Sequence, residues 1–136
     1  MIIALVDALK ADGNVAAIAG ARVFGGELPK GETRHMPRAA IVLQPSGGVS
    51  LAAGSYMDHD TQRVDALCYG ATPLEANALG GICRRALTSI RRQVVSGCLI
   101  HWIEPAGGIS ARRDQPTQWP VAFRPFQAFH ALQEVS

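Results

Sequence analysis

One segment near the middle of the sequence constrains the fold more than any other. Thr72-Pro73-Leu74-Glu75 places a hydroxyl residue, a proline and a glutamate in the order of a helix capping box. Apolar residues then recur at the spacing of one helical face, at Leu79, Ile82, Cys83, Ala86, Leu87 and Ile90. This pattern predicts one long amphipathic helix that packs on a sheet. Its opposite half is predicted to carry four arginines, namely Arg84, Arg85, Arg91 and Arg92.

Strand-like segments stand on both sides of this helix. We predict strands over residues 22–24, 39–43, 61–69, 94–104 and 121–132. The spacing of apolar residues in 2–9 predicts a short opening helix, and Asn14 is the predicted cap of a second short turn that ends at Gly20. This order predicts an α+β fold, in which a mainly antiparallel sheet of about 4–5 strands carries the long helix and the short N-terminal helix on one face.

Stretches rich in glycine and proline separate these elements. Residues 25–37 are predicted as a loop, and residues 112–116 as a polar connection before the last strand. A flexible loop or hairpin arm is predicted at residues 45–60, because long stretches of this kind inside small domains are usually functional. Tyr56 and Met57 lie in this arm. We expect one domain over residues 1–136.

Two further positions carry residues that are unfavourable in the elements predicted there. Gly80-Gly81 lies inside the predicted long helix, where each glycine costs about 1 kcal/mol relative to alanine. Close approach of another backbone explains such a pair, and that backbone belongs either to a neighbouring subunit or to a loop of the same chain. Pro125 lies inside the last predicted strand, and because proline lacks an N–H it predicts an edge position or a bulge there.

Charge and composition favour a protein that works through its surface. The 13 basic and 11 acidic residues are too evenly balanced for a dedicated nucleic-acid binder. Lys10 and Lys30 are the only lysines, and a bias towards arginine favours protein interfaces, although a GC-rich genome produces the same bias. A charged fraction of 18% leaves apolar surface for a partner to cover.

The residue types that carry chemistry form no recognisable constellation. Cys68, Cys83 and Cys98 lack metal-ligand or disulfide spacing, which predicts three reduced, buried thiols in a cytosolic protein. The histidines and carboxylates show no metal or acid–base pattern, so we expect no catalytic site, metal or cofactor. We expect no signal peptide, because the N-terminus has no basic region and Asp7 and Lys10 interrupt its apolar run. We expect no membrane span, since no 18 consecutive residues are apolar.

The order of these segments, taken together, carries a resemblance. It rests on Arg22-Val23-Phe24, on the strand segment 62–69, on the capping box 72–76, and on Arg112-Arg113-Asp114 followed by Thr117 and Trp119. Over nearly the whole chain, this layout resembles the tail-terminator (tail-completion) proteins of long-tailed bacteriophages, which also occur in prophages and gene-transfer particles.

The resemblance implies a virion structural protein and no enzyme. It implies a homohexameric ring on the last ring of the tail tube, which stops tube polymerisation and presents the surface to which the neck or stopper protein docks. DNA would pass through the lumen without sequence-specific binding, and assembly would take place in the host cytoplasm. The residues that we expect at subunit, tail or neck interfaces are Arg84, Arg85, Arg91, Arg92, Arg112, Arg113, Asp114, Trp119, Tyr56 and Met57.

Other interpretations stay open at this stage. Another neck component, such as a head–tail joining or stopper protein, shares the fold class but occupies a different position. A small nucleic-acid-binding protein that uses the arginine pairs predicts duplex binding that falls steeply with added salt. An enzyme of unrecognised type predicts a pocket with perturbed titratable groups. For any single arginine pair, a solvated surface is the simpler alternative.

Overall fold

The computed structural model describes residues 2–33, 36, 38–49, 59–95, 97–106, 110–113 and 119–134. Their elements are, in chain order, α1 (Ile2–Ala11), α2 (Gly13–Ala19), β1 (Val23–Gly25), α3 (Lys30–Thr33), β2 (Ala40–Val49), β3 (His59–Tyr69), α4 (Pro73–Thr88), β4 (Arg91–Val95), β5 (Cys98–Pro105), β6 (Ser110–Arg113) and β7 (Pro120–Glu134). The protein is mixed α+β, as the patterns predict.

The described strands form one seven-stranded sheet in the order β1-β2-β3-β7-β5-β4, with β6 also paired to β7. β1 runs parallel to β2, and the other pairs are antiparallel. β7 is central, because β3 pairs along one side of it while β5 and β6 pair with successive parts of the other side. The predicted number of strands is too low, since residues 91–95 and 110–113 form strands of their own.

Helices α1 and α4 pack on one face of the sheet, and α2 packs against both of them. The main apolar cluster lies between them and the sheet, and its largest buried side chains include Leu5, Leu9, Ile41, Leu43, Leu79, Leu87, Ile100 and Phe126. On the opposite face, a smaller cluster joins Val42, Tyr69 and Val121 to half-buried neighbours that include Trp119. The helices therefore lie on one face, as predicted for the long and the opening helix.

Helix α1 reaches from one edge of the sheet to the other. At β1, a Cβ added to Gly25 would lie 3.0 Å from Ile2 Cγ2, whereas Asp7 of α1 lines a cavity together with Gln93 and Val95 of β4. A helix of 10 residues is about 15 Å long, shorter than the ~24 Å that separates the outer members of six flat strands. The sheet is therefore curled around the helices.

The start of α4 confirms the predicted capping box. Thr72 Oγ1 accepts a hydrogen bond from the backbone N–H of Glu75 at 3.2 Å. Glu75 Oε2 in turn accepts from the N–H of Ala71 at 2.9 Å, one residue before the cap. Two N–H groups at this end thus obtain side-chain acceptors, which fixes where the helix begins.

The end of α4 corrects the prediction for Arg91 and Arg92. The helix stops at Thr88, whose Oγ1 donates to the carbonyl of Arg84, and Ser89 Oγ donates to the carbonyl of Ala86. Ile90 enters the core from beyond the helix, so the apolar stripe continues after the helical backbone has ended. Arg91 and Arg92 therefore lie on β4 rather than on the outer half of α4.

The strand predicted over 94–104 is in fact a hairpin. Val95 pairs with Cys98, which leaves a two-residue connection in which Gly97 has a φ of 78°. A positive φ suits glycine, and short hairpin turns require it. The chain reverses there, so residues 91–95 become an additional edge strand beside β5.

Pro45 and Pro125 are two of the four prolines in the described strands, and each lies beside an interruption in strand pairing. β2 continues through Pro45 to Val49, so the strand does not end at Pro45 as the sequence suggests. Its register with β3 shifts between Pro45 and Gly48, past the point where β1 stops. Pro125 lies on the central strand β7, in continuous register with β3, so the predicted edge position or bulge is wrong. Its position is tolerated because it lies opposite the interruption between β5 and β6. Of the predicted arm at 45–60, residues 50–58 lie outside the described residues.

Smaller differences concern the first helices. Asp12, and not Asn14, caps α2, because Asp12 Oδ1 accepts from the N–H groups of Asn14 and Val15 at 2.9 and 3.1 Å. Gly20 ends α2 with a φ of 58°, as predicted. The predicted loop 25–37 contains the short helix α3, where Glu32 accepts two hydrogen bonds from Arg38 at 2.7 and 2.9 Å. This contact raises the pKa of the Arg38 guanidinium.

Cys68 on β3 and Cys83 on α4 are free, buried thiols in the main core, as predicted for these two. A hydrogen bond with Cys83, followed by burial, raises the pKa of the Cys68 thiol well above its usual range. The thiol ionises near pH 8.5 in the unfolded chain, so its contribution to the free energy of unfolding should be complete below about pH 8 and be lost as the pH rises further.

We therefore expect both thiols to resist iodoacetamide at pH 7.5 in the folded protein and to react fully in denaturant. Mass spectrometry of alkylated peptides measures the result. Rapid modification of Cys68 in the folded state, at a rate similar to that in denaturant, would contradict this placement in the core.

Candidate interface surfaces

The outer face of α4 carries the first of the predicted interface pairs. Arg84 and Arg85 are both exposed, and neither forms an ion pair with another described residue. Arg85 borders a cavity of about 440 Å³ between α2 and α4, which Asp12, Ile18 and Ile82 also line. Unpaired guanidinium groups beside half-exposed apolar side chains are suited to a partner that supplies carboxylates.

Arg91 and Arg92 form a second charged surface, at the free edge of the sheet. Arg91, Arg92, Gln93 and Val94 are all exposed. Arg92 is the one non-glycine residue with a positive φ, 50°, among the described residues. A side chain in this backbone region is strained, and such strain is concentrated at functional positions.

An exposed aromatic group next to this edge was not predicted. The rings of Trp102 and Phe129 stack at 4.6 Å, and His101 lies 5.0 Å from Phe129. Trp102 is 46% exposed although Ile100, predicted on the same face, is buried. The register between β5 and β7 shifts between Ile100 and Trp102, and a bulge of this kind turns the following side chains to the other face.

Trp119 has a different environment from the arginines. Its ring meets that of Tyr69 edge-on at 6.1 Å, within the apolar cluster on the face opposite the helices. Part of this side chain is therefore internal packing. Its contribution to an interface stays a prediction, which rests on the part of the ring that is still accessible.

The remaining predicted positions are only partly described. Arg112 and Arg113 lie on β6, where they pair in register with Val121 and Pro120, and not in a connection as predicted. Asp114, Tyr56 and Met57 lie outside the described residues. The structure thus places the arginine pairs on three separate elements: α4, β4 and β6.

Two other kinds of site are not found among the described residues. Within the described ranges, no three His, Cys, Asp or Glu side chains converge as metal ligands would. None of the helices in the described part of the chain combines the length and apolar content that a bilayer crossing needs.

Comparison with known proteins identifies the family. Residues 3–131 match the family described as "Tail completion protein gp17". The fold is similar to that of a chain in a solved structure titled "Virion of native gene transfer agent (GTA) particle", with a TM-score of 0.69 at 17% identity over 96% of this chain and 94% of that chain. A search of curated proteins found no match.

The match covers nearly the whole chain, and the protein therefore belongs to the phage tail completion family. It is a structural protein of a phage tail or neck, and the resemblance inferred from the sequence is confirmed at this level.

Proposed function

We propose that this protein forms a ring that caps the head-proximal end of the tail tube. The ring stops polymerisation of the tube and provides the surface to which the neck docks, while DNA passes through its lumen. The family match over residues 3–131 is the observation that carries this proposal. The similar fold of a chain in a gene transfer agent virion supports a place in the particle.

The charged surfaces support the same role. Arg84 and Arg85 on α4 and Arg91 and Arg92 on β4 are exposed without ion pairs among the described residues. A ring subunit contacts two neighbouring copies, the tube and the neck, so it needs several surfaces that pair only on assembly. We propose that the one domain of residues 1–136 supplies all of them, in the tails assembled in the host cytoplasm.

Electron microscopy of a lysate from a phage or gene-transfer producer that lacks this gene tests the proposal. The expected result is overlong tails without heads, beside filled heads, because nothing stops the tube. Restoration of normal length by the gene supplied from a plasmid is the control. Tails of normal length lying unattached would move the protein to the joining step, and intact infectious particles would contradict both roles.

A further inference from the structure

We infer that neighbouring copies of this chain meet edge to edge, with the β4 edge of one copy against the β1–β2 edge of the next. This inference rests on the proposed ring, and it names the surfaces that close the ring. β1 and β4 are the outer strands of the described sheet, so each carries a row of backbone N–H and C=O groups without a strand partner among the described residues. Such rows pair readily with another strand.

The β4 edge is basic. Arg91 and Arg92 are exposed there without an ion pair among the described residues, and the positive φ of Arg92 holds its backbone in a strained conformation. Val94 is 54% exposed on the same strand, and Trp102, which pairs in register with Arg91, is 46% exposed. Arginine and tryptophan together are typical of the residues that dominate binding at protein interfaces.

The β1–β2 edge carries a carboxylate, that of Glu27, and a stretch of β2 that lies beyond the end of β1. β1 pairs with Ile41–Leu43 only, so β2 from Gln44 to Val49 extends past it along the outer side. At the end of β1 the N–H and C=O of Gly26 are bonded to Leu43 and Gln44, so the backbone open to another strand is that of β2 beyond this point. Glu27 follows Gly26, exposed and without an ion pair or hydrogen bond to another described residue.

The charges select which edges meet. Two β4 edges would bring together two strands that each carry two arginines and no carboxylate, so neither would supply a partner for the other's charges. The β4 edge against the β1–β2 edge instead brings Arg91 and Arg92 to Glu27. This contact is heterologous, and heterologous contacts generate rings when the rotation between copies closes.

The curl of the sheet favours closure. Because α1 reaches from β1 to β4, the two edges are inclined towards the same helix and do not point in opposite directions. A subunit whose two contact surfaces are inclined is wedge-shaped, so successive copies turn around an axis. A flat sheet with opposed edges would continue as a straight row.

Charge reversal in producers that lack the chromosomal gene tests the pairing. The double change Arg91→Glu and Arg92→Glu, and separately Glu27→Arg, should each abolish rescue of infectious particles, whereas all three changes together should restore it. The control is the double change Arg84→Glu and Arg85→Glu on α4, which alters the charge by the same amount. Adding Glu27→Arg to this control should not improve its rescue of infectious particles. Full rescue by each edge variant alone, or no recovery in the combined variant, would overturn the inference.

Disulfide cross-linking gives a second test, which does not depend on charge reversal. Purified protein with Glu27→Cys and Arg91→Cys, oxidised at high concentration and on isolated tails, should give a ladder of covalent oligomers on a non-reducing gel. Each single cysteine variant should stop at dimers. If deletion of the gene gives overlong tails but the double cysteine variant gives no ladder, the edge contact is overturned and the ring proposal stands.

Discussion

Replacing Phe126 by alanine is expected to lower the free energy of unfolding by about 3–5 kcal/mol. Phe126 is 1% exposed on the central strand β7, where it faces the helices and pairs with Val64 on one side and Pro105 on the other. Truncation removes a large apolar side chain from water-free surroundings and leaves a cavity beneath α4. Chemical denaturation followed by circular dichroism measures the loss.

Phe129→Ala is the matched control for this change. Phe129 lies on the same strand but on the opposite face, where it stacks on Trp102, and it is only partly buried. We expect a clearly smaller loss of stability there, because the ring keeps part of its contact with water in the folded state. Equal losses for the two variants would show that the helix-covered face is not the main core.

Gly70→Ala and Gly81→Ala are expected to change stability in opposite directions. A Cβ on Gly70 would lie 2.5 Å from the backbone nitrogen of Ala76, so the first turn of α4 must move, at a cost of about 1–3 kcal/mol or more. A Cβ on Gly81 would meet no described atom within 4 Å, and in mid-helix the change should stabilise by about 1 kcal/mol. Thermal unfolding of the two purified variants measures both shifts.

The Gly81→Ala variant also tests whether a neighbouring backbone contacts α4 at this position. Open space around Gly81 argues against a loop of the described part of this chain as the backbone that approaches it. A Gly81→Ala protein that is more stable but fails to rescue particles would place a neighbouring molecule at this helix face. Full rescue by the stabilised variant would mean that no close contact uses Gly81.

The sequence predicts elements well where the signal is local. Thr72 and Glu75 mark the start of α4 because both act within one helical turn of each other. Alternation over residues 61–69 predicts β3, since one face of that strand is buried along its length.

The predictions are wrong where an element depends on a single side-chain hydrogen bond or on a contact with a segment far away in the sequence. The end of α4 depends on hydroxyl bonds from Thr88 and Ser89, and the apolar spacing runs on past them to Ile90. The exposed position of Trp102 depends on a bulge opposite Phe129, which lies on a strand much later in the chain. The predicted interface residues are likewise visible in the sequence, whereas their position in the fold is not. Arginine pairs are visible in the sequence, but the edge on which Arg91 and Arg92 lie is defined only by the hairpin turn at Gly97.

The central position of β7 has a consequence for synthesis. β7 follows every other described strand along the chain, yet β3, β5 and β6 all pair with it. Because a nascent chain emerges from its N-terminal end, those strands have no common partner until residues 120–134 leave the ribosome. A fragment released before that point lacks the central strand, so its strands can pair only as two separate groups, β1–β2–β3 and β4–β5.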